Sequence, residues 1–196
     1  MNTLIIFTHP NPNSYNKAIL DIVIDGLETT DSNYKIRDLY SLAWDPVLTA
    51  DDFKKLLAGE VSEEVAREQE LVTWADNLIF IFPIWWTGPP AILKGWFDRV
   101  FSLNFAYKKT ENGEIVGLLS PKKAIVITTS GEDKQSMEQN CQMDVLELIF
   151  RENIFAFCGF QETYHKNLYG VERASQSERQ DMLQNVQHFI VSCFLK

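Results

Sequence analysis

Residues 78–101 read LIFIFPIWWTGPPAILKGWFDRVF. Residues 78–82 are apolar without a break. A short continuous apolar run suits a strand covered on both faces, as in a parallel sheet. The next stretch, PIWWTGPP, puts two adjacent tryptophans and Gly88 just past the strand's carboxyl end. Pro90 then stands where a helix would begin, a position proline tolerates. Residues 91–101 predict that helix. Strand, loop and helix in this order form half of a βαβ unit.

The alternation continues in both directions. Residues 3–8 (TLIIFT) and 34–39 (YKIRDL) predict strands. Between them, Ala18, Ile19, Ile22, Val23 and Leu27 follow helical spacing, with Ser14 as cap. Thr49 predicts the cap of a short helix, and residues 63–75 predict a longer one. Downstream, residues 124–128 (AIVIT) and 162–168 predict strands, and residues 145–157 a helix. Ser175 opens a last helix with Met182, Val186, Phe189, Ile190 and Cys193 on one stripe. Strands alternating with helices throughout predict one α/β domain over residues 1–196, a three-layer sandwich around a five-stranded parallel sheet. The order 2-1-3-4-5 fits five such strands. Ligands then bind beyond the strands' carboxyl ends, where the order reverses.

Composition narrows the function classes. A chain of 196 residues, 45% hydrophobic and 23% charged, has enough interior for a real core. Its net charge of −9 argues against nucleic acid and anionic lipid as partners. A local phosphate site remains open, because salt screens distant carboxylates beyond about 8 Å. Cys141, Cys158 and Cys193 are odd in number and widely spaced, which fits neither a disulfide framework nor a zinc site. Three buried thiols in a reducing, cytoplasmic setting are expected. The N-terminal apolar run is short and lacks a basic flank, so no signal peptide is expected. No apolar stretch reaches about 18 residues, so no membrane insertion is expected. His165 and His188 sit near no metal-binding pattern, and surface or packing roles are expected for them.

Three loops would meet at one edge of the predicted sheet. HPNPNSYNK enters a helix N-terminus, where free N–H groups and the helix dipole favour an anion. His9, Ser14 and Asn16 would add side-chain donors. Neither GxGxxG nor GxxxxGK[ST] occurs, which argues against a Rossmann dinucleotide site or a P-loop. Taken alone, this stretch is also an ordinary capped helix start. In PIWWTGPP, flat rings beside exposed amides suit a planar, polar-edged ligand such as a flavin or a quinone. One tryptophan of the pair would serve equally in a core or an interface, because adjacent side chains point apart. Trp96 and Phe97, on the following helix, predict packing. Thr128, Thr129, Ser130 and Gly131 offer backbone donors that would stabilise negative charge on a reduced flavin. TTSG alone is also an ordinary turn.

The block FPIWWTGPPAILKGWFDRVF closely resembles the signature of the flavodoxin-like NAD(P)H:quinone oxidoreductases. HPNPNSYN, AREQELVTWAD, FAYKK, ITTSG and FCGF continue the resemblance in register, from Leu4 to about Gln161. The chain's length resembles the short bacterial members. The resemblance implies a flavodoxin-like fold, a homodimer and bound FMN or FAD. It implies two-electron, ping-pong hydride transfer from NAD(P)H through the flavin to a quinone-like acceptor. His9, Ser14, Tyr15 and Asn16 would hold the flavin's phosphate and ribityl chain. Pro83, Ile84, Trp85, Trp86 and Thr87 would line the ring system, with Thr128, Thr129, Ser130 and Gly131. Gln69 matches a cofactor-side glutamine, and Tyr107 a tyrosine of the substrate pocket, often from the other subunit. Tyr107 and Gly131 are the implied catalytic positions.

The chain also departs from that pattern. The family's TTGG is here TTSG, no tyrosine lies between Thr129 and Asn140, and Asn140 stands where a histidine is usual. Asparagine does not titrate, so the resemblance carries no histidine proton relay to that position. Two other expectations accompany it. Some short relatives are ancillary subunits of potassium-efflux transporters, and the altered loop would also suit a flavin-free member of the fold.

Overall fold

A computed structural model describes residues 1–194. Strand β1 (Asn2–Phe7) leads through helix α1 (Tyr15–Glu28) to β2 (Asn33–Asp38). Helices α2 (Ala50–Leu57) and α3 (Glu63–Trp74) precede β3 (Asn77–Pro83) and α4 (Ala91–Val100). Two short strands follow, β4 (Tyr107–Lys109) and β5 (Ile115–Gly117), and then β6 (Lys123–Thr129). Helices α5 (Lys134–Gln139) and α6 (Gln142–Glu147) run into a π-helical segment, Leu148–Ala156. The fold ends with β7 (Glu162–Leu168) and α7 (Gln176–Phe194).

The main sheet has the order β2-β1-β3-β6-β7, with every pairing parallel. Counting only these five strands, it is the expected 2-1-3-4-5 order. Strand β3 is buried along its whole length, because helices cover both faces. Leu78, Phe80 and Phe82 point into one layer with Leu4, Ile6, Ala124 and Val126, packed against α3, α4 and the π-helical segment. Ile79 and Ile81 point into the other with Ile5, Phe7, Ile125 and Ile127, packed against α1 and α7. A side-chain period of two on a doubly covered strand gives the unbroken apolar run seen in the sequence.

Trp96 and Phe97 are core residues, as their helical position predicts. Trp96 Nε1 donates to Glu68 Oε2 at 3.0 Å, and Arg37 Nε donates to Glu68 Oε1 at 2.9 Å. The buried carboxylate is therefore paired from two sides. Gly95 lies against the Pro46 backbone, where a Cβ would fall 2.1 Å from the Pro46 carbonyl oxygen. That close approach explains the glycine within PAILKGWF.

Three features depart from the sequence reading. Strands β4 and β5 form a separate antiparallel pair that no periodicity announced, each being three residues long. The helix expected over residues 145–157 widens into the π-helical segment, where Phe157 N bonds Glu152 O. Cys158 and Cys193 are buried, but Cys141 is exposed at a left-handed backbone position, φ 53°, before α6. A residue on that corner projects away from the core. Among the described residues, no helix is long and apolar enough to cross a membrane.

Candidate active site

The carboxyl ends of β1, β3, β6 and β7 open on a cavity of about 250 Å³. His9 enters from the loop after β1, and Tyr15 and Asn16 from the first turn of α1. Pro83, Ile84 and Trp85 enter after β3, and Thr129, Ser130 and Gly131 after β6. Val171 and Glu172, past β7, and Arg179 on α7 complete the wall. This is the edge that the strand order assigns to ligands.

Local hydrogen bonds hold each wall residue. Ser14 Oγ accepts from the Lys17 N–H at 3.2 Å, so Ser14 caps α1 and does not line the cavity. His9 Nδ1 lies 3.0 Å from the Asn11 backbone nitrogen and 3.2 Å from the Asn11 carbonyl oxygen. Partial burial lowers the His9 pKa, opposed by its backbone hydrogen bond to Asn11. Asn16 is buried, and its Nδ2 donates to Thr129 Oγ1 at 2.9 Å, tying α1 to β6. Asn16 Oδ1 has no partner among the described residues. A buried acceptor left open on a cavity wall is free to accept from a ligand's donor.

Tyr15 donates its hydroxyl hydrogen to the Arg179 carbonyl at 2.7 Å, and burial pushes the phenol up to about 12. Arg179 in turn donates to the carbonyls of Val171 at 3.0 Å and Glu172 at 3.3 Å. The loop after β7 is thereby pinned beside α1.

The two tryptophans separate. Trp85 and Gly88 exchange backbone hydrogen bonds at 3.0 Å, closing a tight turn on Trp86 and Thr87. Both central residues have positive φ, 51° and 55°. Turns of this shape prefer Asn-Gly, so the turn holds backbone strain. Trp85 lines the cavity with its ring 6.4 Å from His9. Trp86 is fully exposed, at 102%.

Strand alternation splits the next pair. Thr129 faces the cavity, whereas Thr128 turns to the opposite face, 2.8 Å from His165 Nε2. The Ser130 N–H, expected as a donor, is taken by the Leu168 carbonyl at 2.9 Å. The Ile84 N–H donates to the Thr129 carbonyl at 2.8 Å, and the Val171 N–H to the Ser130 carbonyl at 3.1 Å. Most of this loop's backbone therefore ties neighbouring loops together.

Gln69 and Tyr107 lie apart from the cavity. Gln69 Nε2 donates to the Val100 carbonyl and to Ser102 Oγ, both at 3.0 Å. Tyr107 packs on Phe157 with ring centroids 5.1 Å apart. Trp86 and Thr87 form the lip outside the lining residues. The sequence reading missed Val171, Glu172 and Arg179. The rule that placed three loops at this edge also places the loop after the last strand there, and its residues could have been named on that ground. His165, expected at the surface or in ordinary packing, is a buried side chain between two polar partners.

The family model of the flavodoxin-like fold, Flavodoxin_2, matches residues 1–190. The chain belongs to this family. A Haemophilus influenzae protein named as an uncharacterized NAD(P)H oxidoreductase is 32% identical over 185 residues, covering 94% of this chain and 91% of that one. A crystal structure of a Streptococcus mutans protein superposes with TM-score 0.87 at 37% identity, over 98% of this chain and 100% of that one. The NAD(P)H:quinone oxidoreductase from Methanothermobacter marburgensis superposes with TM-score 0.89 at 26% identity, over 98% and 96% of the two chains.

Proposed function

We propose that this chain is an NAD(P)H:quinone oxidoreductase that binds FMN or FAD in the cavity and works as a homodimer in the cytoplasm. The observation that carries the reading is the open acceptor Asn16 Oδ1 in a wall that also presents His9, Trp85 and Ser130. That donor and acceptor set fits a flat ligand with a polar edge and a ribityl chain. The relatives named NAD(P)H oxidoreductase support it. His9, Tyr15 and Asn16 would hold the phosphate and ribityl end, with Ser14 fixing the helix start beside them. Pro83, Ile84, Trp85, Thr129, Ser130 and Gly131 would line the ring, with Trp86 and Thr87 at its lip and Thr128 behind the wall. Flavin, when bound, supplies reversible hydride transfer. The chain's own residues orient it and keep water out of the cavity. Gln69 and Tyr107 would serve from the second copy or face it.

The test is direct. Purified chain mixed with FMN or FAD should turn stably yellow, and tryptophan fluorescence should fall as the flavin binds. The loaded protein should oxidise NADH or NADPH when a quinone is supplied. Failure to bind either flavin overturns the reading.

A further inference from the structure

A second polar cluster lies behind the cavity wall, on the opposite face of the sheet. The His165 side chain, only 4% exposed, sits between Glu147 and Thr128. Its Nδ1 is 3.0 Å from Glu147 Oε1, and its Nε2 is 2.8 Å from Thr128 Oγ1. Thr128 Oγ1 is also 2.9 Å from Asn167 Oδ1. Asn167 Nδ2 lies 3.1 Å from Ser130 Oγ and 3.6 Å from Met137 Sδ. The Ser130 hydroxyl donates to the Glu132 carbonyl at 3.0 Å, and Ser130 lines the cavity. A continuous chain thus links a half-exposed carboxylate, through a buried imidazole, to the cavity wall.

With the Ser130 hydroxyl hydrogen on the Glu132 carbonyl, the direction of every link follows. Asn167 has two acceptors on one side: Ser130 Oγ, whose own hydrogen goes to the Glu132 carbonyl, and the thioether sulfur of Met137. Its NH₂ therefore faces them, and Oδ1 faces Thr128. An amide oxygen only accepts, so the single Thr128 hydroxyl hydrogen goes to it. His165 Nε2, on the other side of the same hydroxyl, must then donate. Nδ1 faces a carboxylate and must donate as well. The His165 hydrogen bond holds the Glu147 carboxyl below the usual range, against the opposing effect of its partial burial. Arg151 adds a weaker pull in the same direction.

We propose that both ring nitrogens of His165 donate, Nδ1 to the Glu147 carboxylate and Nε2 to Thr128, and that it is a positioning residue for Ser130. Through Thr128 and Asn167 it locks the Ser130 hydroxyl onto the Glu132 carbonyl. Ser130 Oγ then offers the cavity an acceptor, and the ligand group that meets it is an N–H or O–H donor. Loss of the Nε2 proton leaves two lone pairs facing each other across 2.8 Å. Rotating the Asn167 amide relieves that contact but sets Asn167 Oδ1 and the Glu132 carbonyl in competition for one Ser130 hydrogen. Protonation of His165 is therefore felt at the cavity.

Glu147 is the charged group in hydrogen-bonding reach of the imidazole among the described residues. Others on the covering elements are paired elsewhere or turned to solvent. Arg151 meets Glu152 at 3.5 Å, Lys134 meets Glu138 at 3.5 Å, and Asp144 is exposed. The Glu132 carboxylate accepts from Ser136. On the strands, Lys123 pairs with Glu162 at 3.0 Å, and Lys166 lies over the Phe189 ring on the other face.

The inference rests on the flavin reading only for the identity of the ligand that meets Ser130. Its test is NMR of the ¹⁵N-labelled full chain without flavin. At neutral pH both His165 ring nitrogens should carry protons. As the pH is raised and one proton leaves, the Asn167 side-chain amide signals should shift in step. His165→Gln, checked for folding by its melt, should leave those signals fixed across the same range. Glu147→Gln, at a half-exposed position, identifies the His165 signals independently and should bring the proton loss to lower pH. A single protonated ring nitrogen at neutral pH, or Asn167 signals that ignore the His165 titration, overturns the proposal. In a second arm, FMN affinity should fall about tenfold as the ring proton is lost, the equivalent of one hydrogen bond. Binding that does not change with the ring proton refutes the coupling to the cavity. If FMN binds at no pH, the flavin reading falls while the ring-nitrogen result still decides this one.

Discussion

Replacing Trp86 by Asn and Thr87 by Gly should stabilise the protein and weaken its hold on flavin. The turn closes on paired Trp85 and Gly88 backbone hydrogen bonds, with φ of 51° and 55° at its two central residues. Left-handed backbone costs a residue bearing a Cβ about 1–2 kcal/mol. Asn and Gly are the residues such a turn prefers. Trp86 is fully exposed, so its removal empties no space in the core. Glycine also loosens the unfolded chain, which takes back about 0.4–1 kcal/mol. The net gain for the pair is about 1–2 kcal/mol, or a rise of roughly 2–8 °C in Tm for a chain of this size. Melting both proteins at equal concentration, without flavin, measures it. In parallel, FMN titration should show roughly tenfold weaker binding, because an aromatic contact is worth about 0.5–1.5 kcal/mol beyond its buried area. A lower Tm would refute the strain reasoning and place the Trp86 ring against a second copy. Unchanged FMN affinity would remove Trp86 from the site.

Other outcomes follow from the same geometry. Gly95→Ala would drive a Cβ to 2.1 Å from the Pro46 oxygen and 2.4 Å from its Cα, so urea unfolding should show a loss of about 3 kcal/mol. Asn16→Leu removes both the tie to Thr129 and the open acceptor, and FMN affinity by fluorescence titration should fall roughly tenfold to a hundredfold. Tyr15 has its phenol raised by burial from 10.0 to about 12. The folded state thus holds the proton longer than the unfolded one. The resulting stability is complete below pH 10.0 and is lost as the pH climbs toward about 12. Tyr15→Phe should flatten part of that loss in urea midpoints taken on either side of pH 10.0. Tyr164, raised to about 12 by its hydrogen bond to Glu162, and Cys158, raised to about 12 by burial, retain much of the remainder, with Tyr34 and Tyr40 raised in the same direction.

The fold was legible wherever burial acts on both faces of a strand. Residues 3–8, 78–82 and 124–128 are apolar runs because two helical layers cover them. Helix starts were legible from chemistry, since Ser14 and Thr49 each accept a backbone N–H at the expected cap. Strands β4 and β5 were not, because three partly exposed residues carry no period. The π-helical segment was hidden because one extra residue per wide turn barely alters apolar spacing over so short a stretch. In the site, strand alternation separated Thr128 from Thr129, a distinction that the string TTSG does not display on its own. The Ser130 N–H looked free in sequence and is bound in space, because its acceptor, Leu168, belongs to a distant strand. His165 stayed unread for the same reason: Glu147 and Thr128 lie 18 and 37 residues away.

The π-helical segment Leu148–Ala156 also acts as an angular spacer. A wide turn holds one residue more than an α-turn, so it offsets the rotation of everything before it from everything after it. Glu147 lies immediately upstream, while Phe150 and Phe155 are fixed in the core. Tightening the segment into regular helix with no residue removed would swing the upstream side chains by about 100°. The acid that meets His165 would then face elsewhere while the aromatic layer stayed filled. Interchange of wide and regular winding in this helix is thus a means of retuning the chemistry behind the cavity without rebuilding the core.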